Sequence, residues 1–212
     1  MSVLKTTHKM DDEMNFITPR GRMTFVALDK KFKSKDSKPG DDGQYAVALL
    51  IDADANLDLL YSAADALAKS AFPSMAAVKK VNSKLGVFGG LGMPFHAADE
   101  KLSAEEHGVD SLEGRVLIRA NSYKYKPGVR DSKGVTVETD ELSIEAYPGR
   151  YARMEVRLAS YDSNGNKGIK LYVQGVQLLA KGERLKGSGP SGTADSFKTP
   201  VVDDEDDDAA LA

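Results

Sequence analysis

Two well-separated stretches of this chain alternate apolar and polar residues with a period of two, and a segment between strand-like runs switches to a helical period. In Arg115–Tyr125 the even positions Val116, Ile118, Ala120 and Ser122 are apolar or small, while Arg115, Arg119, Asn121, Tyr123 and Tyr125 take the odd ones. In Tyr151–Leu158 the residues Ala152, Met154, Val156 and Leu158 point one way, and Tyr151, Arg153, Glu155 and Arg157 the other. Each pattern predicts a strand with one core face and one basic, aromatic face. The β-branched and aromatic run from Gly21 to Leu28 predicts another strand. Gln44–Ile51 is apolar on both faces, which predicts a central or covered strand. Asp162–Asn166, with Asn164-Gly165 at its centre, is a hairpin turn leading into a last strand over Ile169–Leu179.

The helical period occupies Asp54 to Phe72. Leu57, Leu60, Tyr61, Ala64, Leu67, Ala68 and Ala71 recur at three- and four-residue steps behind Asp54 or Asn56 as N-cap, and Pro73 ends the run. A second helix is expected from Ser74 to Gly86, so that a helical insertion of residues 54–86 interrupts the strands. Residues 86–114 show no sustained period and predict a long surface connection. The polar residues 1–15 predict a flexible lead, with order beginning near Phe16. Asp29–Gly40, holding Lys30, Lys31, Lys33, Lys35 and Lys38, predicts a basic loop. Residues 186–212 form a Gly/Ser-rich linker and a tail, separate from one elaborated domain over 16–185.

Charge is divided unevenly. The chain has 29 Lys and Arg against 32 Asp and Glu, a net charge of −3; without the six acids Asp203, Asp204, Glu205, Asp206, Asp207 and Asp208, the remaining 26 give +3. A weakly basic body with a tethered acidic end suggests a protein that handles a polyanion and carries an imitation of it. About seventeen residues of flexible linker reach roughly 20 to 25 Å, enough for the acids to fold back across the domain.

Basic strands interleaved with aromatics suit single-stranded nucleic acid, because cations neutralise phosphates and rings stack on unpaired bases. The candidate contacts are Lys30, Lys31, Phe32, Lys33 and Lys35 in the basic loop; Arg115, Arg119, Tyr123, Lys124, Tyr125, Lys126 and Arg130; and Tyr147, Arg150, Tyr151, Arg153 and Arg157. Ordinary solvent-facing strand residues produce the same pattern, and a hairpin loop kept soluble by lysines produces the first group. Asp203 to Asp208 are assigned as an autoinhibitory and partner-docking segment.

Other chemistry finds little support. The chain has no cysteine, hence no disulfide, thiolate metal site or thiol nucleophile. His8, His96 and His107 fit no metal motif, Gly86–Gly92 lacks the Lys-Ser/Thr of a phosphate loop, and Asp162–Asn166 lacks the closing glutamate of a calcium loop. No enzyme activity, metal or cofactor is expected. The N-terminal residues lack the apolar core of a signal peptide and no run is long enough to span a membrane, so a cytoplasmic protein without membrane contact is expected.

Glu145-Ala146-Tyr147-Pro148-Gly149-Arg150-Tyr151-Ala152-Arg153, then Tyr161-Asp162 to Lys167-Gly168, then Val173-Gln174-Gly175-Val176-Gln177-Leu178-Leu179 to Gly182-Glu183-Arg184-Leu185 resemble the tailed-phage single-stranded DNA-binding proteins built on an OB fold. Phe16 to Leu28 and the segment containing Pro127 add to the likeness, which covers most of residues 16–185. The resemblance implies a mainly β fold, a five-stranded OB barrel with helical insertions, and a DNA groove across its face. It also implies an acidic tail that competes with DNA and recruits a polymerase, helicase or nuclease. A monomer or homodimer coating single-stranded DNA in the host cytoplasm during replication or recombination is the leading expectation; a non-catalytic scaffold working through protein contacts is the alternative. The chain departs from one common pattern of such tails, which end in an aromatic residue, whereas this one reads Ala209-Ala210-Leu211-Ala212.

Overall fold

A computed structural model describes residues 15–33, 39–76, 91–107, 109–163 and 165–185. His8, Lys35, Asn164, most of the second expected helix, the linker and the acidic residues 203–208 lie outside them. In chain order the elements are β1 (Asn15–Ile17), β2 (Gly21–Phe32), β3 (Gln44–Ile51), α1 (Asp58–Ala71), α2 (Pro73–Ala76), β4 (Phe95–Ala97), a 3-10 turn (Ala98–Glu100), β5 (Val116–Ser122), β6 (Gly128–Arg130), α3 (Leu142–Glu145), β7 (Tyr151–Ser163) and β8 (Asn166–Leu178). The fold is mainly β.

The pairings of the five longest strands follow one another in a cycle. β2 pairs antiparallel with β3 and β3 with β5. β5 runs parallel to β8 through Asn121 and Tyr172. β8 forms a long antiparallel hairpin with β7, and β7 returns to β2 through Gly21–Ala152 and Arg22–Tyr151. β1 adds to β7, β4 to β5 and β6 to β8.

Alternation sets which face is inside. Met23, Leu49, Ile51, Ile118, Ala152, Met154, Val156, Ile169, Leu171 and Val173 are buried in one apolar cluster. Each fully buried Leu, Ile or Met side chain contributes about 1.5–3 kcal/mol. Helix α1 packs Leu60, Ala64 and Ala68 against this cluster, and Tyr61 meets the Phe95 ring edge-on at 5.1 Å. The helix starts at Asp58 with Leu57 as its N-cap, which supplies no side-chain cap, so the cap expected at Asp54 or Asn56 lies further along the chain; the Asn56 side-chain oxygen accepts the Asp58 amide at 2.8 Å just before it.

Several expectations change. Lys30, Lys31 and Phe32 belong to β2, which extends four residues past Leu28, and Lys33 is the one described lysine of that group that follows it. The 86–114 connection contains β4 and a 3-10 turn, and Ala98 and Leu112 pack on Leu50 in a second small cluster. That cluster explains why Leu117, an odd position of β5, is buried: it sits opposite Leu50 on the outer face, which this segment covers at one end. β5 stops at Ser122, so Tyr123 and Tyr125 stand on the turn beyond it. No helix among the described residues is long and apolar enough to cross a membrane.

Candidate nucleic-acid interface

The floor of a groove forms where two alanines meet larger neighbours. Ala48 pairs with Phe25 on one side and Arg119 on the other; Ala46 pairs likewise with Ala27 and Asn121. Paired residues share a face of the sheet, so these rows leave a depression of methyl groups between Phe25 and the polar residues of β5. Phe32 stacks edge-on against Phe25 at 5.2 Å, and both rings are more than a third exposed. A β-bulge between Met23 and Phe25 shifts the register of β2 and places Phe25 on this outer face.

The opposite wall comes from the tip of the β7–β8 hairpin. Tyr161, Ser163, Asn166 and Lys170 line it, and Met93, Pro94, His96 and His107 close one end, enclosing about 930 Å³. Gly92 fastens that end to the hairpin: its amide donates to the Lys167 carbonyl at 2.9 Å and its carbonyl accepts the Ile169 amide at 2.8 Å. The Tyr161 hydroxyl packs into the notch between Gly92 and Gly168, where a β-carbon on either glycine would collide.

The electrostatics favour an anion. No carboxylate lines the groove among the described residues, whereas Arg119 and Lys170 do. The Lys170 ammonium lies 5.6 Å from the centroids of Tyr123 and Tyr161 and 4.6 Å from that of Tyr172, within cation–π range of three rings. Burial, and then the charges of Arg119 and Lys101, push the His96 imidazole below its ordinary pKa. Beyond Tyr123 lies a smaller hollow lined by Lys124, Tyr125, Lys126, Arg157 and Tyr172.

The sequence-derived candidates thus divide. Phe32, Arg119 and Tyr123 line the groove; Tyr123, Lys124, Tyr125, Lys126 and Arg157 line the smaller hollow. Lys30 and Lys33 are exposed on and after β2, and Lys31 lies over the Tyr45 ring at 5.9 Å. The other described candidates line neither. Arg115 forms an ion pair with Asp52, Arg130 donates to the Gly134 carbonyl, and Arg153 donates to Gln177. Tyr151 lies under Arg20, and the Tyr147 hydroxyl donates to the Gly182 carbonyl beneath Arg184.

Arg150 is a correction. It is only 6% exposed, and its guanidinium bonds the Glu145 carboxylate and the carbonyls of Glu145 and Leu179. The hydrogen bond from Arg150 is the main cause that holds the Glu145 carboxyl below its usual range. This arginine ties α3 to the end of β8 and has no face for a phosphate.

Sequence reasoning missed Phe25, His96, Tyr161, Lys170 and Tyr172. Three of these carried a readable signal. Tyr161 continues the outward series of Arg157, and Lys170 and Tyr172 alternate with the buried Ile169, Leu171 and Val173. Phe25 and His96 carried none, since a bulge and a three-residue strand decide where they point.

A family model described as Enterobacter phage Enc34, ssDNA-binding protein matches residues 14–210. No curated protein matches the sequence. Among solved structures, the single-stranded DNA-binding protein from bacteriophage Enc34 in complex with ssDNA superposes with a TM-score of 0.65 at 18% identity, over 88% of this chain and 97% of that one. The same phage protein without DNA gives 0.63 at 16% identity, over 92% and 97%. The gp2.5 single-stranded DNA binding protein encoded by bacteriophage T7 gives 0.51 at 16%, over 84% and 98%. At these identities the superpositions establish a shared fold, and the family match spans nearly the whole chain. The chain belongs to the Enterobacter phage Enc34 ssDNA-binding protein family.

Proposed function

We propose that the protein binds single-stranded DNA in the groove between Phe25 and Tyr161, and coats it without sequence preference and without catalysis during phage DNA replication or recombination. The observation that carries this reading is a groove with exposed rings, Arg119 and Lys170 in its lining, and no lining carboxylate among the described residues. Phosphates gain from counterion release at Arg119, with Lys170 adding positive potential, and bases gain from stacking on Tyr123, Phe25 and Phe32. The Enc34 relative solved with ssDNA supports the same ligand.

The cyclic strand pairing supports a closed five-stranded barrel of OB type over residues 16–185. The acidic residues 203–208 act as a tethered competitor for the groove, and secondarily as a docking peptide for a polymerase, helicase or nuclease. The site of action is the host cytoplasm, as a monomer or homodimer.

A labelled oligo-dT titration over a salt series tests the reading. The expected result is a log affinity that falls linearly with log salt, much weaker binding of duplex of equal length, and tighter binding after removal of residues 196–212. Equal affinity for duplex and single strand sinks it.

A further inference from the structure

Among the described residues, Tyr123 alone lines both the groove and the smaller hollow. The hollow encloses about 280 Å³ and, like the groove, has no carboxylate in its lining among the described residues. Three cations reach it. Arg157 lies over the Tyr172 ring at 5.7 Å, Lys124 over the Tyr125 ring at 5.1 Å, and Lys126 bonds the Thr139 hydroxyl at 3.2 Å. Tyr125 is 69% exposed, a ring with one face free for a base.

The two cavities share a surface. Ala46, Asn121, Tyr172 and Arg157 are successive register partners across β3, β5, β8 and β7, so one outer face carries the groove floor and the wall of the hollow. Lys170 joins them again, because its ammonium lies among Tyr161 of the groove, Tyr172 of the hollow and Tyr123 at their boundary.

We infer that the hollow is a second DNA subsite, taking a nucleotide and its phosphate from a strand long enough to pass Tyr123, so that the binding track is bipartite and bends at that ring. The inference rests on the proposed function. A hollow near the roughly 300 Å³ lower bound of small-molecule sites has room for a nucleotide, whereas the larger groove takes a run of them. Cations beside exposed rings supply both halves of nucleotide recognition, phosphate neutralisation and stacking.

The test is a ladder of oligo-dT lengths titrated against the full chain, the Lys124→Ala/Tyr125→Ala variant and Arg119→Ala. Both residues of the double variant are exposed, and the Tyr125 carbonyl that accepts the Ser122 hydroxyl is retained. The double variant should bind the shortest competent oligonucleotides as the parent does, lose on the order of ten-fold for longer ones, and show a salt slope smaller by about 0.7 for those alone. Arg119→Ala should weaken every length. An equal loss at all lengths, or none at any, overturns the second subsite while the proposed function stands. Failure of the parent chain to bind any length overturns the function on which it rests.

Discussion

Arg22 donates from its guanidinium to the His107 carbonyl oxygen at 2.7 Å, across 85 positions of sequence. The same buried side chain donates to the carbonyls of Gly149 and Glu183. One cation therefore holds the segment that ends the groove, the turn before β7 and the chain after β8.

Arg22→Met is expected to destabilise the fold by roughly 2–4 kcal/mol, since it leaves several carbonyls without their charged donor. Urea unfolding measures this through the midpoint, with an unchanged slope. A shift under 0.5 kcal/mol would show that water replaces the guanidinium without penalty.

Groove cations and rings should separate by their salt response. Tyr123→Ala is expected to weaken oligo-dT binding by about 1–3 kcal/mol with an unaltered log–log slope. Arg119→Ala should reduce the slope by about 0.7, the value for one phosphate contact on a single strand. Titrations at four or more salt concentrations check both, and Tyr147→Ala, away from both cavities, should leave them as they are.

The two glycines that receive Tyr161 should respond differently to a methyl group. In Gly168→Ala the nearest obstacle is the Gly92 carbonyl, a backbone atom, and the fold should lose stability. In Gly92→Ala the obstacle is the Tyr161 hydroxyl, at the end of a side chain, so Tyr161→Phe in the same chain should recover most of the loss. A double-mutant cycle of thermal midpoints decides it: additive effects remove the contact from the account.

His96 predicts a pH dependence of two kinds. Its pKa in the folded protein is lowered, chiefly by burial, so the unfolded chain binds more protons at and below pH 6.5. Stability from this group is present above the ordinary histidine value and is lost as pH falls below it, until the depressed folded pKa is reached. Phosphates in the groove oppose Arg119 and Lys101 and raise that pKa, so binding takes up protons and tightens as pH falls through the same window. Calorimetry in two buffers of different ionisation enthalpy measures the uptake. It should vanish in His96→Gln.

What the sequence revealed, and what it hid, follows from the kind of information each feature needs. The alternation of Ala152, Met154, Val156 and Leu158 reports one covered face, and all four are buried. That pattern cannot tell which of the outward residues share a cavity. Arg153 and Arg157 look equivalent along β7, yet one is held by Gln177 and the other stands over Tyr172, because their partners on β8 differ. Arg150, read as the same kind of cation, is taken by Glu145, five residues earlier, through the short α3 that no period announces. Lys30 and Lys31 read as loop because lysine is poor in strands, whereas the pairing of Phe32 with Gln44 keeps β2 extended through them.

The alanine floor bears on movement. Ala46 and Ala48 present methyl groups and no side-chain donor or acceptor to whatever lies above them. A strand held at its edges by rings and cations therefore has no bond to the floor to break when it advances by a base, and the barrier to each step is limited to restacking and the exchange of one phosphate for the next. On the proposed function, such a surface is expected to let the protein diffuse along DNA while staying bound.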